Sequence, residues 1–203
     1  MLRMKQPDWE KAQAYVLNRL VSELSPDLTY HRLQHTRDDV LPAAERLANL
    51  SGLGKEDTLV LKTAALYHDI GYLENYDHNE PVGARIAVET LPGFGFCPQQ
   101  IQAVEQLILA TQIPQCPHNP LEQIICDADL DSLGRDDFLI TSHNLWLERL
   151  AHYNVPITQK EWYLGQLQFL LAHTYFTDFA RSLREAGKQK NIQELRNLLE
   201  GFE

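Results

Sequence analysis

Apolar residues recur at intervals of three and four positions along nearly the whole chain. The first such run places apolar side chains at Trp9, Ala12, Val16, Leu20 and Leu24. An α-helix has about 3.6 residues per turn, so this spacing gathers the apolar side chains on one face. No segment shows the Val-, Ile- and Thr-rich alternation that a half-buried strand requires. The pattern therefore predicts an all-α fold.

Proline, glycine and short polar clusters divide this pattern into separate helices. Asp8 is placed to cap the first helix, and Pro42 is expected to bend the second. Near the C-terminus we expect a long helix over about 158–186 and a short one from Asn191. The remaining helices are expected at about 29–50, 55–68, 80–91, 98–112, 120–134 and 136–153.

The charge of the chain limits its partners. Its 203 residues carry a formal net charge of -10, with a pI near 5.2, and no stripe of basic residues. Binding to duplex nucleic acid is therefore not expected. A small anionic substrate is still compatible with this charge, because a bound divalent cation can be the largest local charge in a site.

The cysteines and the N-terminal sequence favour the cytoplasm. Cys97, Cys116 and Cys126 are odd in number and form no CxxC pair, which argues against a disulfide scaffold. The N-terminal sequence has no apolar signal region, and no window approaches eighteen uninterrupted apolar residues. We expect a soluble cytoplasmic protein without a membrane segment; the oligomeric state is left open.

The dipeptide His68-Asp69 ends an apolar helical run and precedes a glycine. With eight histidines and thirteen aspartates in the chain, chance alone would give about half of one such pair, so the dipeptide is a weak signal by itself. Upstream, His31 and His35 are four residues apart, which places both imidazoles on one face of a helix.

A third segment, "IICDADLDSL", puts aspartates at alternating positions in an otherwise apolar stretch: Asp127, Asp129 and Asp131. Carboxylates on a buried helix are costly unless they are paired or bind a metal. Three segments thus supply histidine and aspartate ligands that could converge in the core of a helical bundle.

The order His35, His68-Asp69, Asp129 resembles the H…HD…D signature of the HD-domain superfamily, metal-dependent phosphohydrolases with an all-helical core. The flanking segments resemble it too, over about residues 28–135: "YHRLQHT", "ALYHDIGY", "DHNEPVGARIA", "ILAT" and "CDADLDSLG". The resemblance implies an HD helical bundle. Residues 136–203 are expected to form extra C-terminal helices packed on that core, within a single domain over 1–203.

The resemblance also implies a set of site residues. His35, His68, Asp69 and Asp129 would bind a divalent metal, which could be Mn, Fe, Co, Zn or Mg, with one or two ions. Asp69 would bridge to a second ion or accept a proton from the attacking water. His31 matches the general acid of the cyclic nucleotide phosphodiesterases.

Two positions depart from the phosphodiesterase pattern. Tyr72 lies where those enzymes have a further histidine, and Arg32 replaces an asparagine. Support for a second metal must then come from elsewhere. The residues considered for a second metal or for substrate contact are His78, Arg32, Glu80, Arg85, His118 and Asp127.

Three functions fit these features. The first is hydrolysis of a small phosphorylated substrate, a phosphate monoester or diester such as a nucleotide or related metabolite. The second is a di-iron oxygenase, which would need His78 and His118 to complete a second iron site. The third is a regulator that binds metal or nucleotide without catalysis. Metal count and oxygen dependence separate the first two, and hydrolysis is the prediction.

Overall fold

The computed structural model describes residues 6–202. Within that range every regular element is helical, which confirms the predicted all-α fold. The α-helices are α1 (Trp9–Glu23), α2 (Leu41–Leu50), α3 (Lys55–Tyr67), α4 (Asn79–Thr90), α5 (Pro98–Ala110), α6 (Pro120–Asp129), α7 (Phe138–Tyr153), α8 (Gln159–Ala172) and α9 (Asp178–Glu200). Short 3₁₀ turns follow α3, α4 and α6, at Ile70–Leu73, Leu91–Phe94 and Asp131–Gly134.

Helix α3 is the centre of the main core. It contacts α1, α2, α5 and α6, and almost every side chain of its second half is buried. Burying apolar surface is the main favourable term in folding, so this helix is fixed in place by packing on all sides. Its C-terminus delivers His68 and Asp69 to one end of the bundle.

A close backbone contact fixes the turn after α3. A Cβ atom added at Gly71 would lie 1.9 Å from the Asn79 carbonyl oxygen, so only glycine fits there. The N-terminus of α4 therefore lies directly against the turn that carries Asp69.

The second predicted helix begins later than expected. Residues 29–32 form bends, and His35–Val40 is a π-helical segment that leads into α2. The Leu41 N–H donates to the Thr36 carbonyl five residues back, and the next residue, Pro42, has no N–H to donate. The bend predicted at Pro42 thus takes the form of a π-turn just before it, and His35 lies at its start.

The predicted long helix over 158–186 is wrong. Helix α8 ends at Ala172. The Thr177 hydroxyl then caps a separate helix, α9, by accepting a hydrogen bond from the Ala180 N–H. Asp127 stabilises the break from another part of the chain. Its carboxylate accepts hydrogen bonds from the Phe176 N–H at 2.8 Å and from both the N–H (2.8 Å) and the hydroxyl (2.7 Å) of Thr177.

Asn191 does not start a helix, contrary to the prediction. It is buried in the middle of α9, and its side-chain amide donates to the carbonyls of Leu133 and Arg135 at 2.9 Å each. A Cβ added at Gly187 would lie 2.0 Å from the Gly134 carbonyl oxygen, so α9 packs directly on the turn after α6.

A second apolar cluster lies between this turn and the last three helices. Its buried members are Leu133, Phe138, Leu170, Ile192 and Leu195. It holds α7 and α8 beside the end of the bundle where His68 and Asp69 lie. Over residues 6–202, no helix has the length and apolar character needed to cross a membrane.

Candidate metal centre and cavity

Four side chains from three segments meet at one end of the bundle: His35 from the π-turn, His68 and Asp69 from the end of α3, and Asp129 from the end of α6. We call these four residues the floor. The ligand atoms of His35, His68 and Asp129 all lie within 4.8 Å of one another. Asp69 belongs with them, since its Oδ2 lies 3.1 Å from His68 Nε2 and 3.6 Å from His35 Nε2.

The spacing of these atoms suits a metal ion. Asp129 Oδ1 lies 3.5 Å from both His35 Nε2 and His68 Nε2. With metal–ligand bonds of about 2.0–2.2 Å, neighbouring ligands in a tetrahedral or octahedral site lie about 2.8–3.6 Å apart. His68 Nε2 and Asp69 Oδ2 are buried without a hydrogen-bond partner among the described residues. Such groups are costly unless a ligand satisfies them, so the floor fits a divalent cation.

The orientation of His68 also suits metal binding. Its Nδ1 donates to the Ala65 carbonyl at 2.8 Å, which directs Nε2 at the floor. Burial alone would lower the pKa of His68, but the carboxylates of Asp69 and Asp129 raise it to about 9. Burial would likewise raise the pKa of Asp69, yet the neighbouring histidines, His68 first, hold it well below its usual range. The floor thus concentrates negative charge that a cation can neutralise.

His31 lies beside the floor and is held by Glu148 of α7. Its Nδ1 donates to Glu148 Oε1 at 2.5 Å, and Glu148 Oε2 accepts from the backbone N–H groups of Tyr30 and His31 at 2.8 and 2.9 Å. Tyr76 donates its hydroxyl to the same carboxylate at 3.1 Å. Burial would lower the pKa of His31, but the bond to Glu148 and the charge of Asp69 raise it overall.

Sequence reasoning missed Glu148. It is 1% exposed and lies 117 positions from His31. The available signal was a glutamate on the buried side of a helix, which is unusual unless the carboxylate is paired.

Tyr72 covers the other side of His31. The two rings stack with centroids 4.2 Å apart, and the Tyr72 hydroxyl lies 3.2 Å from His31 Nε2. Burial, followed by the charges of Asp69 and Glu148, raises the pKa of the Tyr72 phenol far above its usual range. Tyr72 therefore stays protonated and can donate a hydrogen bond at this position.

A cavity of about 620 Å³ opens above the floor. Asp69 and Asp129 line it, whereas His35 and His68 lie beneath them, 4% and 1% exposed. Its far side is formed by six apolar side chains, which we call the wall: Leu133, Phe138, Leu145, Ile157, Trp162 and Phe169.

Residues 32–132 of the chain match the family model of the HD domain. The chain is an HD-domain protein. HD domains are a family of metal-dependent phosphohydrolases, and the cluster of His35, His68 and Asp129 is compatible with a divalent metal. The whole floor lies inside the matched segment, and the whole wall lies beyond it.

Two solved structures share the fold of this HD-domain protein. Bacillus subtilis YpgQ, crystallised in complex with ADP, is 16% identical, with a TM-score of 0.67 over 95% of this chain and 97% of YpgQ. A Lactobacillus plantarum protein is 17% identical, with a TM-score of 0.68 over 98% and 100% of the two chains. No curated protein matches the chain in sequence.

Two of the residues considered for a second metal or for substrate contact line the cavity of the HD domain. His78 directly precedes α4 in the left-handed conformation, with φ of 57°, and Glu80 lies in the first turn of that helix. Burial, and then the charges of Asp69 and Asp129, raise the pKa of Glu80.

The structure does not bring the other four residues into the lining. Asp127 is buried and engaged with the start of α9. Arg85 is paired at the surface with Glu74 and Glu89. His118 is exposed, and its backbone N–H donates to Glu122. Arg32 also lies outside the lining.

Proposed function

We propose that this HD-domain protein hydrolyses a phosphate monoester or diester, a nucleotide or a related metabolite, with the help of a divalent metal. One observation carries the proposal. The buried atoms His68 Nε2 and Asp69 Oδ2 lie 3.1 Å apart but make no hydrogen bond within the described part of the chain, and they lie directly beneath a cavity large enough for a metabolite.

In this proposal His35, His68, Asp69 and Asp129 bind the ion, and their mixed nitrogen and oxygen donors suit Mn, Fe, Co, Zn or Mg. Such an ion supplies a Lewis acid for a phosphoryl oxygen and lowers the pKa of water toward neutrality. Asp69 lines the cavity and is placed to accept a proton from the attacking water. His78 and Glu80 are placed to contact substrate or to support a second ion.

His31 would donate a proton to the leaving oxygen. The hydrogen bond that His31 Nδ1 donates to Glu148 holds the ring in one orientation and keeps the pKa of His31 raised, which favours the protonated form that an acid needs. In that protonated form the Nε2–H of His31 can donate to the Tyr72 hydroxyl oxygen 3.2 Å away.

The choice of a nucleotide or a related metabolite draws support from two sources. The cavity volume lies within the range of about 300–1,000 Å³ that is common for small-molecule sites. A protein of the same fold, YpgQ, was crystallised with ADP.

The oxygenase alternative needs His78 and His118 at one iron, and no observation favours it because His118 does not line the cavity. Nothing in the structure favours a purely regulatory role.

The test is release of phosphate or nucleoside from a panel of nucleoside mono-, di- and triphosphates, cyclic nucleotides and sugar phosphates, with Mn added. We expect turnover of at least one class by the wild type and none by Asp69→Ala, which loses a ligand and a proton acceptor. A wild-type protein with metal bound that cleaves nothing in the panel would contradict the proposal. Normal turnover and metal binding by Asp69→Ala would contradict the site assignment.

A further inference from the structure

The charges around the cavity are distributed unevenly. In the part of the chain that the structure describes, Arg149 is the only lysine or arginine in the lining. Five carboxylates line the same cavity: Asp69, Asp77, Glu80, Asp129 and Glu161. The nitrogen-bearing titratable side chains besides Arg149 are His31 and His78.

A divalent ion on the floor would neutralise Asp69 and Asp129. Asp77, Glu80 and Glu161 would then remain in the lining with one guanidinium, so the rest of the cavity would stay acidic. The carboxylates of Asp77 and Glu161 are exposed and accept hydrogen bonds from Tyr153 and Thr158. Arg149 is also an exposed side chain, with its Cζ 5.9 Å from the centroid of the Trp162 ring, and it offers one cation rather than a cluster. Sites that bind several phosphates in a row usually supply several cations or a glycine-rich loop of N–H donors. The described lining holds no such group of cations.

The wall, unlike the acidic part of the lining, favours an apolar group on the ligand. Phe138 and Trp162 are 2% and 5% exposed, so they form a fixed apolar surface. The indole N–H of Trp162 donates to Ser142 Oγ at 3.0 Å, so the ring has no free hydrogen-bond donor to offer a ligand. A phosphate group alone would leave most of the 620 Å³ unfilled.

We infer that the substrate is a phosphate ester with a single phosphate at the floor and an uncharged, largely aromatic or apolar body against the wall. This inference rests on the proposed hydrolysis and names the substrate class for the same site. Each further phosphate would add negative charge among carboxylates without a matching cation, and like charges repel.

The test compares adenosine 5′-monophosphate with adenosine 5′-triphosphate at fixed free Mn concentration. Both kcat/KM and the calorimetric Kd are measured on the wild-type protein. We expect kcat/KM at least about tenfold higher, and Kd at least about tenfold lower, for the monophosphate; a tenfold ratio corresponds to about 1.4 kcal/mol. A second pair, 4-nitrophenyl phosphate and glycerol 3-phosphate, tests the preference for an aromatic substrate body. We expect the aryl ester to have the lower KM.

A charge variant sharpens the result. Gln112 is an exposed lining residue, and Gln112→Lys adds a cation to the acidic cavity without disturbing the core. We expect it to shift the ratio of triphosphate to monophosphate affinity by about three- to tenfold toward the triphosphate. Gln102→Lys, at an exposed position of α5 outside the lining, should leave the ratio unchanged.

The outcomes separate this inference from the proposed function. Preference for the triphosphate, failure of both nucleotides to bind, or an unchanged ratio in Gln112→Lys would overturn the inference even if phosphate is released. Tighter monophosphate binding without any turnover would contradict hydrolysis and leave the preference of the cavity standing.

Discussion

The floor and the wall lie on opposite sides of one cavity, yet they differ in whether their buried polar atoms are hydrogen-bonded. On the floor, His68 Nε2 and Asp69 Oδ2 are buried and make no hydrogen bond to any described residue. In the wall, the one polar atom of the Trp162 ring is bonded to Ser142. Unsatisfied buried groups persist where a ligand completes them, whereas satisfied ones keep a surface in shape. The floor is therefore suited to binding a metal, and the wall is suited to selecting the body of the substrate.

The largest effect should separate Asp129 from Asp127, two residues apart on α6. Asp129→Asn weakens a floor ligand, and we expect at least about a hundredfold loss of Mn affinity in calorimetry, beyond the 10–100-fold typical of groups that only support a ligand. Asp127→Asn should retain Mn affinity but lower the free energy of unfolding by about 1–3 kcal/mol, because an amide replaces one of the two oxygens that accept from Phe176 and Thr177. An equal loss of Mn affinity in both variants would contradict the different roles assigned to Asp129 and Asp127.

Glu148 connects the two regions, since it lies on α7 but holds His31 beside the floor. We expect Glu148→Gln to lower kcat about 10–100-fold with little change in KM. Glu148 raises the pKa of His31, and an acid loses activity as the pH rises through its pKa. The alkaline limb of the kcat profile should therefore move to lower pH in the variant.

Asp77→Asn is the matched control, because it makes the same carboxylate-to-amide change in the cavity lining without a contact to His31. An alkaline limb that stays in place in Glu148→Gln would show that His31 is not the acid.

The smallest effect is expected in the wall. Trp162→Phe removes the hydrogen bond to Ser142 and should cost about 0.5–1.5 kcal/mol of unfolding free energy, measured by urea denaturation. Mn affinity should not change, since Trp162 contributes nothing to the floor. A loss of Mn affinity in this variant would mean that the wall and the floor are coupled.

The floor could be predicted from the sequence because its ligands come from short motifs at helix ends. The end of α3 follows from the apolar run that buries it, and Asp127 and Asp129 lie about 200° apart on α6, so they had to face different surroundings. Which of the two faces the cavity depends on where α9 begins, and the sequence did not predict that start.

The remaining features depend on contacts between distant parts of the chain. The break between α8 and α9 is stabilised by Asp127, about fifty positions away, and overrides an apolar pattern that continues through it. The wall reaches the cavity, and Glu148 reaches His31, only because α7 and α8 pack beside the turn after α6. Helical periodicity gives the buried face of each helix but not its partner.

The most direct test of the floor is a crystal structure with Mn, measured at the Mn absorption edge. We expect an anomalous peak about 2.0–2.3 Å from ligand atoms of His35, His68, Asp69 and Asp129. A crystal grown with saturating Mn that shows no peak on the floor, or shows one only at carboxylates elsewhere on the surface, would contradict the metal site on which the proposed hydrolysis depends.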